Sequence, residues 1–176
     1  MLWTNIFAGF GGQGVLLIGQ LLAYAGMYEG KNVSWLPSYG PEMRGGTANC
    51  SVTVSDSPIG SPIISHPDIL IAMNLPSLDK YEDSVKPGGQ IYIDSTLIER
   101  KVNRTDVSAF YIPATQMASD SGLTTLANMI IMGKVLREGG AVSYEGLGDA
   151  LKKVVSAKHA DLYDANMKAI EMGYNF

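Results

Sequence analysis

Cysteine is all but missing from this chain: Cys50 stands alone. One thiol forms no internal disulfide, and it excludes a cysteine-ligated zinc site or an iron–sulfur cluster built within the chain. It sits in Ala48-Asn49-Cys50-Ser51-Val52-Thr53-Val54, which reads as a half-buried strand. With no His or Asp nearby in sequence to activate it, Cys50 reads as a core thiol and not a nucleophile. Basic clusters are absent too. A formal charge of −4 without any Lys/Arg run argues against a nucleic-acid or anionic-membrane partner. No apolar run approaches the roughly 18 residues that span a bilayer, and the N-terminus lacks the basic flank and cleavage site of a signal peptide. The expectation is a cytoplasmic protein with no membrane contact. The two histidines, His66 before Pro67 and His159, read as a turn residue and a helix start.

What the chain does contain is an alternation of β-rich and helical segments. Its 176 residues, 46% hydrophobic and 17% charged, suit one well-filled core, so a single domain over 1–176 is expected. Strands are expected at 3–8, 32–36, 47–55, 69–73, 90–94 and 109–113. Leu16, Leu17, Gln20, Leu21, Tyr24 and Ala25 recur at spacings of three and four, predicting a helix to about Glu29, stopped by Gly30. A short helix starts at Pro76-Ser77-Leu78. After 113 the chain reads as helical, with a stripe from Leu123 to Val135 and helices near 143–155 and 160–171. The fold class is therefore α/β: a Rossmann-like, open, mostly parallel sheet with helices on both faces and a helical C-terminal third.

The most informative motif is Gly9-Phe10-Gly11-Gly12-Gln13-Gly14, directly after the first strand and directly before the first helix. A tight strand-to-helix reversal uses positive φ, and without a Cβ the backbone N–H groups of Gly11, Gly12, Gln13 and Gly14 can approach an anion at the positive end of the helix dipole. The same spacing also serves simply to pack the helix closely on the sheet. An ordinary NAD-binding fold would add an Asp or Glu at the end of the second strand, for the ribose. Here that strand runs into Pro37 and Ser38, and Glu29 lies before it, facing away from the carboxyl edge.

A second unusual segment follows. Ser38-Tyr39-Gly40-Pro41-Glu42-Met43-Arg44-Gly45-Gly46-Thr47 places a carboxylate and a guanidinium two residues apart, between a Gly-Pro and a Gly-Gly that fix the backbone. Arg44 suits a phosphate, a carboxylate or an interface partner, or an internal pair with Glu42. In parallel sheets ligands bind beyond the carboxyl ends of the strands. That edge would carry the glycine turn, this loop, Asn74 and Asp94-Ser95-Thr96. Caps and Asx turns are the plainer reading of the last two.

Together the two segments resemble the gamma chain of the 2-oxoacid:ferredoxin oxidoreductases, in which a G-x-G-G-Q-G turn is followed by Y-G-P-E-x-R-G-G. Here these are Gly9 to Gly14 and Tyr39 to Gly46. The likeness continues through Ala48-Asn49-Cys50, Ser61-Pro62 and Ala72-Met73-Asn74, and more weakly at Asn128-Met129 and 166–173. The resemblance implies a subunit that is not catalytic alone. Alpha and beta chains would hold thiamine diphosphate and Mg, a ferredoxin-like delta chain or domain the iron–sulfur clusters, and external ferredoxin the electrons. It implies oxidative decarboxylation of a 2-oxoacid to an acyl-coenzyme A by the whole complex. The stretch 72–81 looks most like the 2-oxoglutarate and branched-chain (3-methyl-2-oxobutanoate, or ketoisovalerate) types, and less like the pyruvate type. Indolepyruvate enzymes carry a similar domain. Gly11, Gly12, Gln13, Gly14 and Arg44 are then expected to face coenzyme A or a partner, with Gln13 either donating to the anion or capping the turn. Tyr39, Glu42, Gly45, Gly46 and Asn74 are expected to orient the loops or meet another chain. No catalytic residue and no metal ligand is expected here. A purely structural subunit and a free nucleotide-binding oxidoreductase are the alternatives.

Overall fold

The computed structural model describes residues 1–38, 47–155 and 159–176. Tyr39, Glu42, Arg44, Gly45 and Gly46 lie outside the described residues. One sheet of six strands organises the rest: β1 (Leu2–Phe10), β2 (Asn32–Ser38), β3 (Thr47–Ser55), β4 (Ile69–Ala72), β5 (Gln90–Asp94) and β6 (Ser108–Ile112), in the order β2-β3-β1-β4-β5-β6. The pairs β1–β4, β4–β5 and β5–β6 are parallel, while β3 runs antiparallel to both neighbours. The sheet is thus mostly parallel with one reversed strand. A parallel pair needs a crossover, usually a helix, and the segment between β2 and β3 carries no helical period. Because β3 reverses twice over, β2 points the same way as β1, and their carboxyl ends share one edge.

Among the described residues the α-helices are α1 (Val15–Tyr28), α2 (Leu75–Tyr81), α3 (Ala114–Asp120), α4 (Ala127–Gly139), α5 (Tyr144–Val154) and α6 (Ala160–Tyr174). Side chains alternate across each strand, so β1 sends Phe7 to one face and Ile6 and Ala8 to the other. The larger core packs Phe7, Ile71, Tyr92 and Ile112 under α1, α3, α4, α5 and α6. The smaller one packs Ile6, Leu70, Ile91 and Ile93 under Leu78 of α2, with Ile98 and Val102 from the long β5–β6 connection. That connection is pinned by charge: Arg100 bridges Asp79 and the buried Glu82, both at 2.7 Å. The stretch expected to be helical after 113 is interrupted, and the stripe's Leu123 and Leu126 precede α4 instead of lying in it. Residues 121–126 are not helical, with Gly122 at φ +71°, and α3 is a separate element.

Candidate functional site at the carboxyl edge

The chain leaves β1 toward β2 on one side, while β4 lies beside β1 on the other. The carboxyl ends of β1 and β4 therefore form the point where connections diverge, with α1 on one face and α2 on the opposite one. Such a divergence opens a crevice. The glycine turn borders that point from β1, and Asn74 at the start of α2 borders it from β4.

Glycine is required here for two separate reasons. Gly12 has φ +93° and Gly14 φ +75°, backbone that L side chains rarely adopt. At Gly14 a Cβ would also overlap the side-chain amide of Asn128, whereas at Gly12 the space a Cβ would enter is open to 4 Å. Gly14 is the N-cap of α1 and no side chain caps that helix end. The N–H groups of the first turn thus have no side-chain cap, at the positive end of the helix dipole.

Two amides brace the turn. Gln13 accepts from Phe10 N–H through Oε1 at 2.6 Å, and its Nε2 donates to the carbonyl of Met73 at 3.0 Å, spanning the crevice from β1 to the end of β4. Of the two roles open to Gln13, the geometry displays turn capping. Asn128, buried at the start of α4, donates from Nδ2 to the Gly14 carbonyl at 3.2 Å. No motif drew attention to Asn128 beyond the faint likeness at Asn128-Met129; only the fold brings it to position 14. Asn74 caps α2, accepting from Ser77 N–H through Oδ1 at 2.9 Å. Its Nδ2 and the hydroxyl of Ser77 are buried with no hydrogen-bond partner. Buried polar groups are nearly always paired, so these two stand out as buried donors at the start of α2 that no described residue satisfies.

The loop between β2 and β3 begins after Ser38 and ends before Thr47, and Thr47 pairs with Phe10, the residue that enters the glycine turn. Its two anchors therefore stand at this same edge. Farther along, Asp94 is buried and accepts from Thr96 N–H at 3.1 Å and from Thr115, an internal tie between β5 and α3. Cys50 is also internal. Burial pushes its thiol up to about 12, and it lies under α1, near enough to Val15 to donate to that carbonyl. His66 is exposed beside the Ser84 carbonyl and His159 precedes α6, both far in the fold from this edge. Glu29 closes α1 at the opposite end, bonded to Ser143 and Lys31.

Residues 4–176 match the family described as pyruvate ferredoxin/flavodoxin oxidoreductase. The chain belongs to that family. It is 40% identical over 167 residues, 94% of its length, to the ketoisovalerate oxidoreductase subunit VorA of Methanothermobacter thermautotrophicus, of which it spans about a third (34%). It is 35% identical over 95% of its length to the 2-oxoglutarate synthase subunit KorC of Methanocaldococcus jannaschii, covering 89% of that subunit. Among solved structures, the gamma subunit of a keto/oxoacid ferredoxin oxidoreductase from Geobacter sulfurreducens superposes with a TM-score of 0.83 at 31% identity, covering 98% of this chain and 96% of that one.

Proposed function

We propose that this chain is the gamma subunit of a 2-oxoacid:ferredoxin oxidoreductase and that its carboxyl-edge crevice faces the coenzyme A side of the assembled enzyme. The observation that carries this reading is the uncapped start of α1 beneath an open Gly12, at the edge where the Arg44 loop is anchored. An uncapped helix start with the dipole behind it suits a phosphate, and coenzyme A supplies three. In this reading the backbone N–H groups of Gly11, Gly12 and Gly14 hold phosphate oxygens, Arg44 adds the charge, and Gln13 and Asn128 keep the turn in shape. Asn74, buried and capping α2, orients the start of that helix at the same edge. No residue of this chain is assigned to thiamine diphosphate, Mg or an iron–sulfur cluster. Those belong to partner alpha, beta and ferredoxin-like delta chains, and the electrons pass on to external ferredoxin.

For the 2-oxoacid, 2-oxoglutarate comes first, because the KorC relative is matched over nearly its whole length. Ketoisovalerate comes second, on the higher identity to VorA. Arg44→Ala in the assembled enzyme tests the ligand role. Loss of one charged hydrogen bond, about 1.5–3 kcal/mol, should raise the apparent KM for coenzyme A by roughly ten- to a hundredfold, with assembly and the KM for the oxoacid unchanged. An unchanged KM for coenzyme A refutes that role and leaves the edge as a surface for another chain.

A further inference from the structure

The glycine turn carries a row of donors with no use inside the fold. Among the described residues no acceptor meets the backbone N–H of Gly11, Gly12, Gly14, Val15, Leu16 or Leu17, whereas Phe10 and Gln13 donate within the turn, to Gln13 Oε1 and to the Phe10 carbonyl. Val15 is 2% exposed, and a buried N–H without an acceptor is rare in a folded protein. The direction of that N–H is set from outside the turn. Its peptide is trans, so the Val15 N–H points opposite to the Gly14 carbonyl. That carbonyl accepts twice, from Ile18 N–H at 3.2 Å along the helix and from Asn128 Nδ2 at 3.2 Å.

The Asn128 amide is itself fixed. Its Oδ1 accepts from Met129 N–H at 2.9 Å, so a flipped amide would set oxygen against the Gly14 carbonyl and N–H against N–H. Gly14 admits the amide because it has no Cβ to overlap it. The mount is rigid as well. α4 crosses α6 so closely that a Cβ at Gly133 would overlap the Ile170 carbonyl and one at Gly173 the Ile130 carbonyl. At the far end of α4, Gln90 Nε2 donates to the Glu138 carbonyl at 3.2 Å. A donor on such a mount holds one peptide orientation against thermal motion.

We propose that Asn128 is a positioning residue for the anion site: it holds the Gly14–Val15 peptide so that the Val15 N–H leaves the start of α1 and joins the donors of the turn. This role rests on the coenzyme A reading above and adds to it one donor, Val15, and one residue that touches no ligand. The two amides at the turn then have different tasks. Gln13 bonds to Phe10 and Met73 and fixes the turn to β4, while Asn128 fixes the direction of the first peptide of the helix. A carbonyl already engaged by donors also leaves the N–H of its own peptide a stronger donor, which favours a phosphate oxygen at that point.

The test uses the assembled enzyme with Asn128→Ala and with Asn128→Asp, which keeps the shape and removes the donor. Each should raise the apparent KM for coenzyme A about three- to tenfold, with kcat at saturating coenzyme A and the KM for the oxoacid unchanged. The KM for pantetheine, which carries the thiol and no phosphate, should not move. Val135→Ala, about two turns farther along α4 and buried in the core, loosens the same helix without touching the turn and should leave the KM for coenzyme A as it is. In the wild type, coenzyme A should slow hydrogen exchange at the Val15 amide. An unchanged KM for coenzyme A in both variants overturns the proposal, and so does an equal rise for pantetheine, the mark of a general structural loss. Should neither variant assemble, the wild type still decides: exchange at Val15 that coenzyme A does not slow, while it slows exchange at Gly11 and Gly12, overturns the role of Asn128 alone. No slowing anywhere in 11–17, with equal KM values for coenzyme A and pantetheine in the wild type, refutes the phosphate reading of the crevice itself.

Discussion

The two edges of the sheet are held together by different chemistry. At the carboxyl edge the ties around the glycine turn are neutral amides: Gln13 to Met73, Asn128 to Gly14, Asn74 to Ser77. At the amino edge they are ionic. Asp68, entering β4, accepts from Thr4 and pairs with Lys86 at 2.9 Å, and Glu29 accepts from Ser143 while pairing with Lys31 at 3.0 Å. Lys31 in turn donates to the carbonyl of Ala141 at 2.8 Å, joining the end of α1 to the segment before α5. Neutral braces leave the field of the α1 dipole uncancelled beside the crevice, which is what an anion site needs. Ion pairs at the far edge fasten elements without entering that field. The ties around the glycine turn and those at the amino edge are thus separated by charge type, and the proposed anion site lies on the neutral side.

The comparison breaks most decisively at Gly14. Gly14→Ala combines positive-φ strain with overlap of the Asn128 amide, so it should destabilise by about 3 kcal/mol, read as a lowered midpoint in urea. Gln13→Ala leaves the Met73 carbonyl without its side-chain donor and frees the turn from β4. About 1–2 kcal/mol should be lost in the same measurement, independent of pH between 5 and 8.

The ionic edge should behave in the opposite way. Desolvation raises the Asp68 carboxyl, but hydrogen bonds from Lys86 and Thr4 and the Lys86 charge outweigh it and hold the group below its ordinary value. The same balance, with Ser143 and Lys31 as partners, lowers Glu29. A carboxyl lowered on folding contributes stability that is present above its unfolded pKa and lost as pH falls through its folded one. Asp68→Asn should therefore cost about 1 kcal/mol at pH 7 and progressively less below about pH 4, until mutant and wild type converge. Smallest of all, raising salt from 0.1 to 1 M should change the effect of Asp68→Asn by a few tenths of a kcal/mol and that of Gln13→Ala by nothing measurable.

How legible was this in the sequence? The strands and the glycine turn were, because period-2 runs and a strand–glycine–helix junction are local signals. So were the plain readings of Asn74 and Asp94 as caps and of Cys50 as core. The reversal of β3 was not foreseen, since direction is set by what a connection can span and not by the strand's own residues. α3 merged with the helical stretch after it, because 114–126 carries no proline and its break is a single positive-φ glycine, Gly122. Asn128 could not be found from spacing at all. It lies 114 residues from Gly14, and only the packing of α4 on the sheet brings the two together.

The measurement that bears most directly on the central claim is reconstitution of the assembled enzyme with and without this chain. The readout is ferredoxin reduction dependent on both 2-oxoglutarate and coenzyme A. The account predicts that omitting the chain abolishes the coenzyme A-dependent rate and that adding it back restores the rate. Full coenzyme A-dependent activity from the remaining chains alone would contradict it.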